Sequence, residues 1–114
     1  MLGVNLDARS TNPEKQMIIV IGTLVAKEGQ LAKTLELSLE HVHRSRAENG
    51  CISHAVHQDA ENPLRLVFVE EWSDQAALTA HFAVPASRAF VKAVSGLVSE
   101  APKIIVYEAK KISG

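Results

Sequence analysis

Cys51–Trp72 reads CISHAVHQDAENPLRLVFVEEW. Two runs rich in apolar and β-branched residues, Cys51–Asp59 and Arg65–Trp72, flank the turn-forming cluster Ala60–Leu64 (AENPL), and this pattern predicts a β-hairpin. Upstream, Leu31, Leu35, Leu39 and Val42 recur at spacings of three and four, with Lys33, Glu36, Glu40 and Arg44 off the stripe. That period predicts an amphipathic helix over Gln30–Asn49, with Gly50 as its C′ residue. Before it, Met17–Lys27 (MIIVIGTLVAK) reads as a buried strand bounded by Glu28 and Gly29.

Downstream of the hairpin, Ser73 or Asp74 can cap a helix through QAALTAHFA, and Pro85 turns Val84 away from helical geometry. Pro85 then suits the first turn of another helix, with the stripe Ala86, Phe90, Val94 and Leu97. Ser99–Pro102 ends that helix, and Lys103–Ile112 (KIIVYEAKKI) is the last strand. The order β, α, β, β, α, α, β predicts an α+β fold of ferredoxin-like βαββαβ type, with one antiparallel sheet and its helices on one face.

Such a sheet has a bare second face. Ile18–Ile21, Leu66–Val69 and Ile104–Val106 are apolar at successive positions, so both faces are apolar. Each Ile or Val left in water forgoes ~1.5–3 kcal/mol of burial. A second copy of the chain is the simplest cover, and a homodimer is expected.

The 114 residues suit a single domain over 17–114, preceded by a polar, flexible N-terminal extension at 1–16. Twelve basic against thirteen acidic residues give a net charge of −1 without long runs of either sign, which argues against nucleic-acid or membrane-surface partners. Met17–Ala26 is too short to span a bilayer, and the residues before it lack the apolar centre of a secretory signal. Cys51 is the only cysteine, which excludes an intrachain disulfide and a zinc ribbon and suits a cytoplasmic location.

There is no GxG cradle and no HExxH motif, so a nucleotide-type cofactor or a zincin metal site is not expected. His41 and His43 flank the helical stripe and read as surface residues. His54 and His57 are three apart on a strand and point to opposite faces, so an iron site using both with Glu70 would need a bulge. His81 follows Ala77 by four and Leu78 by three, on the inward face of its helix, where an imidazole acts either as a general base or as a core residue bonded to backbone. Leu66, Phe68, Glu70 and Trp72 share one strand face. Trp72 there is either core or a flat wall for an aromatic ligand, and Glu70 can orient an imidazole. Cys51 lacks the fixed base a nucleophile needs, and Arg88 with Lys92 reads as solvated surface or as an anion contact.

Gly50–Phe82 resembles the antibiotic biosynthesis monooxygenase (ABM) pattern: Gly-Cys opening the second strand, an Asp and Asn-Pro turn, Glu70-x-Trp72, then Ala-Leu-x-x-His81. The resemblance extends over roughly 17–109 and implies a dimeric α+β barrel with a pocket between sheet and helices. Relatives often carry tyrosine at the place of His54, so that residue is either a pocket-lining side chain or a satisfied structural histidine. Two departures stand out. Pro85-Ala86-Ser87 replaces a Pro-His-Phe of many relatives, removing a second pocket histidine. Gly22 and Val91 occupy the places of the asparagine and iron-binding histidine of the haem-degrading branch.

The resemblance implies a cofactor-independent monooxygenase, without metal, that acts on an electron-rich aromatic such as a quinol or phenol and on O₂. His81 would be the base, Glu70 would orient it, and Trp72, Phe68, Phe82 and Phe90 would shape the cavity. The alternatives are a cofactor-free isomerase of a small oxygenated metabolite, with Arg88 holding an anionic group, and a small-ligand-binding or stress protein without chemistry.

Overall fold

The computed structural model describes residues 16–114, so the extension expected at 1–16 lies, except for Gln16, outside the described residues. The elements follow the order read from sequence: β1 (Met17–Ala26), α1 (Leu31–Ser45), β2 (Cys51–Gln58), β3 (Arg65–Trp72), α2 (Gln75–Ala83), α3 (Pro85–Ser95) and β4 (Val98–Ala109). The four strands form one antiparallel sheet in the order β2-β3-β1-β4, a ferredoxin-like α+β arrangement.

Alternation along β1 settles which residues face the helices. Ile18, Val20, Leu24 and Ala26 are buried there, whereas Ile19, Ile21, Thr23 and Val25 turn to the other face and stay half-buried. On β3 the inward set is Leu66, Phe68, Glu70 and Trp72. Two apolar clusters result. One joins Ile18, Val20, Trp72 and Leu78; the other joins Leu24, Val42, Leu66 and Phe68. Between them the sheet carries a polar row, because the register sets Glu70 opposite both Val20 and His54.

Asp74 is the cap of α2, accepting a hydrogen bond from the Ala77 amide at 2.8 Å, and Pro85 occupies the first turn of α3. Three features differ from the sequence reading. Helix α1 stops at Ser45, and Gly50 is the entry to β2 rather than a helix cap. The last strand begins at Val98, not Lys103. It is an edge strand whose pairing with β1 shifts register around Thr23–Ala26, and such an irregular edge accommodates Pro102.

The third difference concerns α1 and decides the shape of the site. Its buried residues are Thr34, Ser38, His41, Val42 and Ser45, while Leu39 is 40% exposed. The hydroxyls of Thr34, Ser38 and Ser45 each donate to the carbonyl four residues back, at 2.7 Å. With that capacity used within the helix, these small side chains lie inside without unpaired donors. The inward face is thereby rotated by roughly 60° from the leucine stripe, at about 100° per residue. His41, expected on the surface, is carried into the interior, while His43 stays exposed.

Gly50 has φ +86°, and a Cβ there would collide with the Cβ of Ala77 on α2. Replacing it with alanine combines left-handed backbone strain of about 1–3 kcal/mol with a steric clash. Gly50→Ala is therefore expected to lower the urea midpoint substantially; an unchanged midpoint would refute this account of the α1–β2 turn.

Candidate active site

Helices α1, α2 and α3 meet over the polar row of the sheet and, with the strands, border a partly open cavity of about 320 Å³. Its wall includes His41 from α1, His81 and Phe82 from α2, Ser87, Arg88 and Phe90 from α3, and Phe68 and Glu70 from β3. Gly22 on β1 lines it too. A Cβ there would meet only ordinary contacts, the nearest being Phe68 Cβ at 3.6 Å, so the missing side chain is what leaves this part of the cavity open.

His81 is 3% exposed, and its Nδ1 lies 2.7 Å from Oε1 of Glu48, in the turn between α1 and β2. An ionised carboxylate only accepts, so Nδ1 carries the proton and Nε2 is left with its lone pair. The carboxylate hydrogen-bonded to His81 is thus Glu48, not Glu70. Glu70 instead accepts a 2.9 Å hydrogen bond from Trp72 Nε1 and stands 3.4 Å from Nε2 of His54. Burial pushes the Glu70 carboxyl up. The neighbouring His54, the Trp72 N–H and His81 outweigh that and hold it below the usual range.

His41 was absent from the sequence-derived site. Its ring stacks on Phe90, with centroids 4.3 Å apart and planes 6° from parallel, and Arg44 Nη2 donates to its Nδ1 at 3.0 Å. A guanidinium cannot accept, so the proton of neutral His41 is on Nε2. Burial, then the neighbouring His54, His81 and Arg44, lower its pKa to about 3, which keeps the ring neutral near pH 7. The one sequence signal that marks it is its position on the Thr34, Ser38, Val42, Ser45 stripe of small residues, which apolar periodicity alone does not pick out.

The other expected residues divide. Phe68, Phe82, Phe90 and Arg88 line the cavity. Trp72 and His54 do not. Trp72 is fully buried in the apolar cluster at the end of the sheet, with His81 tilted against it at 4.6 Å. His54 is buried behind Glu70, and neither of its ring nitrogens has a hydrogen-bond partner among the described residues. His57 faces the opposite side of the sheet and is exposed, so it shares no site with His54. Burial also raises the Cys51 thiol, which disfavours a reactive thiolate.

Ring nitrogens of His41, His54 and His81 come within 4.8 Å of one another, a spacing that invites a metal reading. The Arg44 hydrogen bond opposes it. With Nδ1 of His41 occupied as an acceptor, Nε2 has no free lone pair, and ligation would require a second deprotonation of the ring. The donor set as bonded therefore does not fit three neutral imidazole ligands.

The sequence profile of the family described as antibiotic biosynthesis monooxygenase matches residues 17–93. The chain belongs to this family. It is 31% identical over 91 residues to an uncharacterised protein of Synechocystis sp., a match that covers 80% of this chain; the chain spans 62% of the length of that relative. Among crystal structures it resembles a candidate antibiotic biosynthesis monooxygenase from Deinococcus radiodurans, at 28% identity and TM-score 0.81, covering 85% of this chain and 96% of that one. It also resembles a Shewanella oneidensis protein, at 27% identity and TM-score 0.77, covering 84% and 93%.

The depressed pKa of His41 has a defined consequence for stability. Between about pH 3 and 6.5 the unfolded chain binds a proton at this residue that the folded chain does not, so stability rises with pH through that window. The urea midpoint should fall as pH drops from 6.5 to 4.5, a range above most carboxylate titration, and it should fall less in His41→Gln. Parallel pH profiles for the two proteins would count against a buried, neutral His41.

Proposed function

We propose that the protein is a cofactor-independent monooxygenase of an electron-rich aromatic, a quinol or phenol. The observation that carries this reading is the 2.7 Å contact of His81 Nδ1 with Glu48 at the wall of a largely apolar cavity, which in the neutral ring leaves Nε2 as the basic nitrogen. His81 removes the hydroxyl proton, and the resulting anion gives one electron to O₂. The aryloxyl radical and superoxide then combine in a carbon–oxygen bond. The hydroperoxide so formed loses water, and for a quinol the sum is quinol plus O₂ giving hydroxyquinone plus water. All four electrons come from the substrate, so the protein supplies a base and a cavity that excludes water. Glu48 stabilises the imidazolium that forms, and Phe68, Phe82 and Phe90 hold the ring.

Arg88 and Lys103 at the cavity wall favour a second reading, isomerisation of a small anionic metabolite by the same base without O₂. Quinol-dependent oxygen uptake separates the two. In that assay His81→Ala should lower turnover by ~10²–10⁴ while the denaturation midpoint shifts far less. Full turnover in this variant would place the base elsewhere, and oxygen uptake absent from wild type with every quinol tried would favour the isomerase.

The protein is further proposed to act as a homodimer. No helix among the described residues is long and apolar enough to cross a membrane, yet the sheet face opposite the helices presents Ile19, Ile21, Val67, Val69, Ile105 and Tyr107. Ile105 is 53% and Tyr107 47% exposed in the single chain. Light scattering should give twice the chain mass for wild type and the single mass for Ile21→Asp, since an unpaired buried charge costs several kcal/mol. A monomeric wild type would refute the dimer.

A further inference from the structure

Proton removal by His81 leaves an anionic oxygen inside an apolar cavity, where an uncompensated charge is costly. A base alone does not solve this problem. Preorganised donors aimed at the developing charge do, provided that they need no rearrangement when the proton moves.

We infer that His41 is a catalytic residue whose Nε2–H donates a hydrogen bond to the substrate oxygen from which His81 takes the proton. The inference rests on the proposed role of His81 and adds to it a second, oppositely protonated imidazole. Three observations support it. The proton position follows from Arg44, which donates to Nδ1 at 3.0 Å and also to the Ala86 carbonyl at 3.2 Å, so the guanidinium bridges α1 and the first turn of α3. The ring plane is held by Phe90, parallel to within 6°. Both imidazoles line one cavity, with centroids 5.3 Å apart and one nitrogen of each ring within 4.8 Å of one nitrogen of the other. One oxygen can bond both nitrogens at about 2.8 Å each when they are up to roughly 5.6 Å apart.

The surroundings keep His41 a donor rather than a second acid. His54 from β2, Glu70 from β3, His81 from α2 and Arg44 on its own helix are the charged or titratable groups that act on it, and their net effect with burial holds the ring neutral. From α3 it meets the uncharged Phe90. The neutral N–H thus keeps its proton throughout the reaction, while the substrate proton resides on His81 and is balanced by Glu48.

The test uses 4-nitro-1-naphthol, whose ionised form is coloured, so that its pKa can be read in the bound state without turnover. Wild type should ionise the bound naphthol at lower pH than the free compound. His41→Phe, or His41→Leu if the larger ring lowers the denaturation midpoint, should raise the bound pKa by about one to two units, the size expected for one lost hydrogen bond to a charged group. His41→Gln, which keeps an N–H near the position of Nε2, should recover at least half of that shift. A merely structural His41 would alter affinity or midpoint and leave the bound pKa unchanged in both variants; that result overturns the inference while leaving His81 in place. His81→Ala should remove the share of the lowering that the base supplies and leave the share that the His41 N–H supplies. If wild type leaves the naphthol protonated or unbound, the base reading fails and the donor role fails with it.

Discussion

The hydrogen bond from His81 Nδ1 to Glu48 ties the turn after α1 to α2 and determines which imidazole nitrogen is left for the cavity. It can exist only because several independent constraints converge on it. Helix α1 ends at Ser45, early enough to leave Glu48 in the turn; Gly50 takes a left-handed conformation and passes under Ala77; and Asp74 caps α2 so that His81 faces inward. Shifting any of these would leave a partly buried carboxylate without its donor and a buried imidazole without its acceptor.

The polar row between the two apolar clusters has a similar logic. Strand alternation places Glu70 inside, and the β2–β3 register brings His54 beside it. Trp72 satisfies one carboxylate oxygen from two residues along the same strand. Glu70 is thus held ionised as a fixed negative charge on the cavity wall, with His81 in its field, while the carboxylate bonded to His81 is Glu48. A cavity with apolar side walls of Phe68, Phe82 and Phe90 and a polar end is suited to a flat ring that carries oxygen at one edge.

Much of the fold was legible because strand and helix periods are strong in this chain. The hairpin, the order of elements, the inward positions of Phe68, Glu70 and Trp72 and the inward turn of His81 all follow from alternation or helical spacing. The α1 face was misread because the side chains that bury there are hydroxyls satisfied by their own helix, a property hydropathy does not register. His41 was placed outside for that reason. Glu48 escaped notice because it lies past the helix in a turn, where no period relates it to His81, 33 residues later. Trp72 illustrates the reverse error: its face was read correctly, yet position along the strand puts it in the core beyond the cavity rather than on its wall.

Two imidazoles in one cavity carry their protons on opposite nitrogens. Ring ¹⁵N chemical shifts of His41 and His81, correlated to their carbon-bound protons at pH 8, report this directly. His81 should be protonated on Nδ1 with Nε2 bare, and His41 on Nε2 with Nδ1 bare, and His41 should keep that single proton at pH 5. A His41 protonated on Nδ1, or on both nitrogens at pH 5, or a His81 with its bare nitrogen facing Glu48, would contradict the central claim.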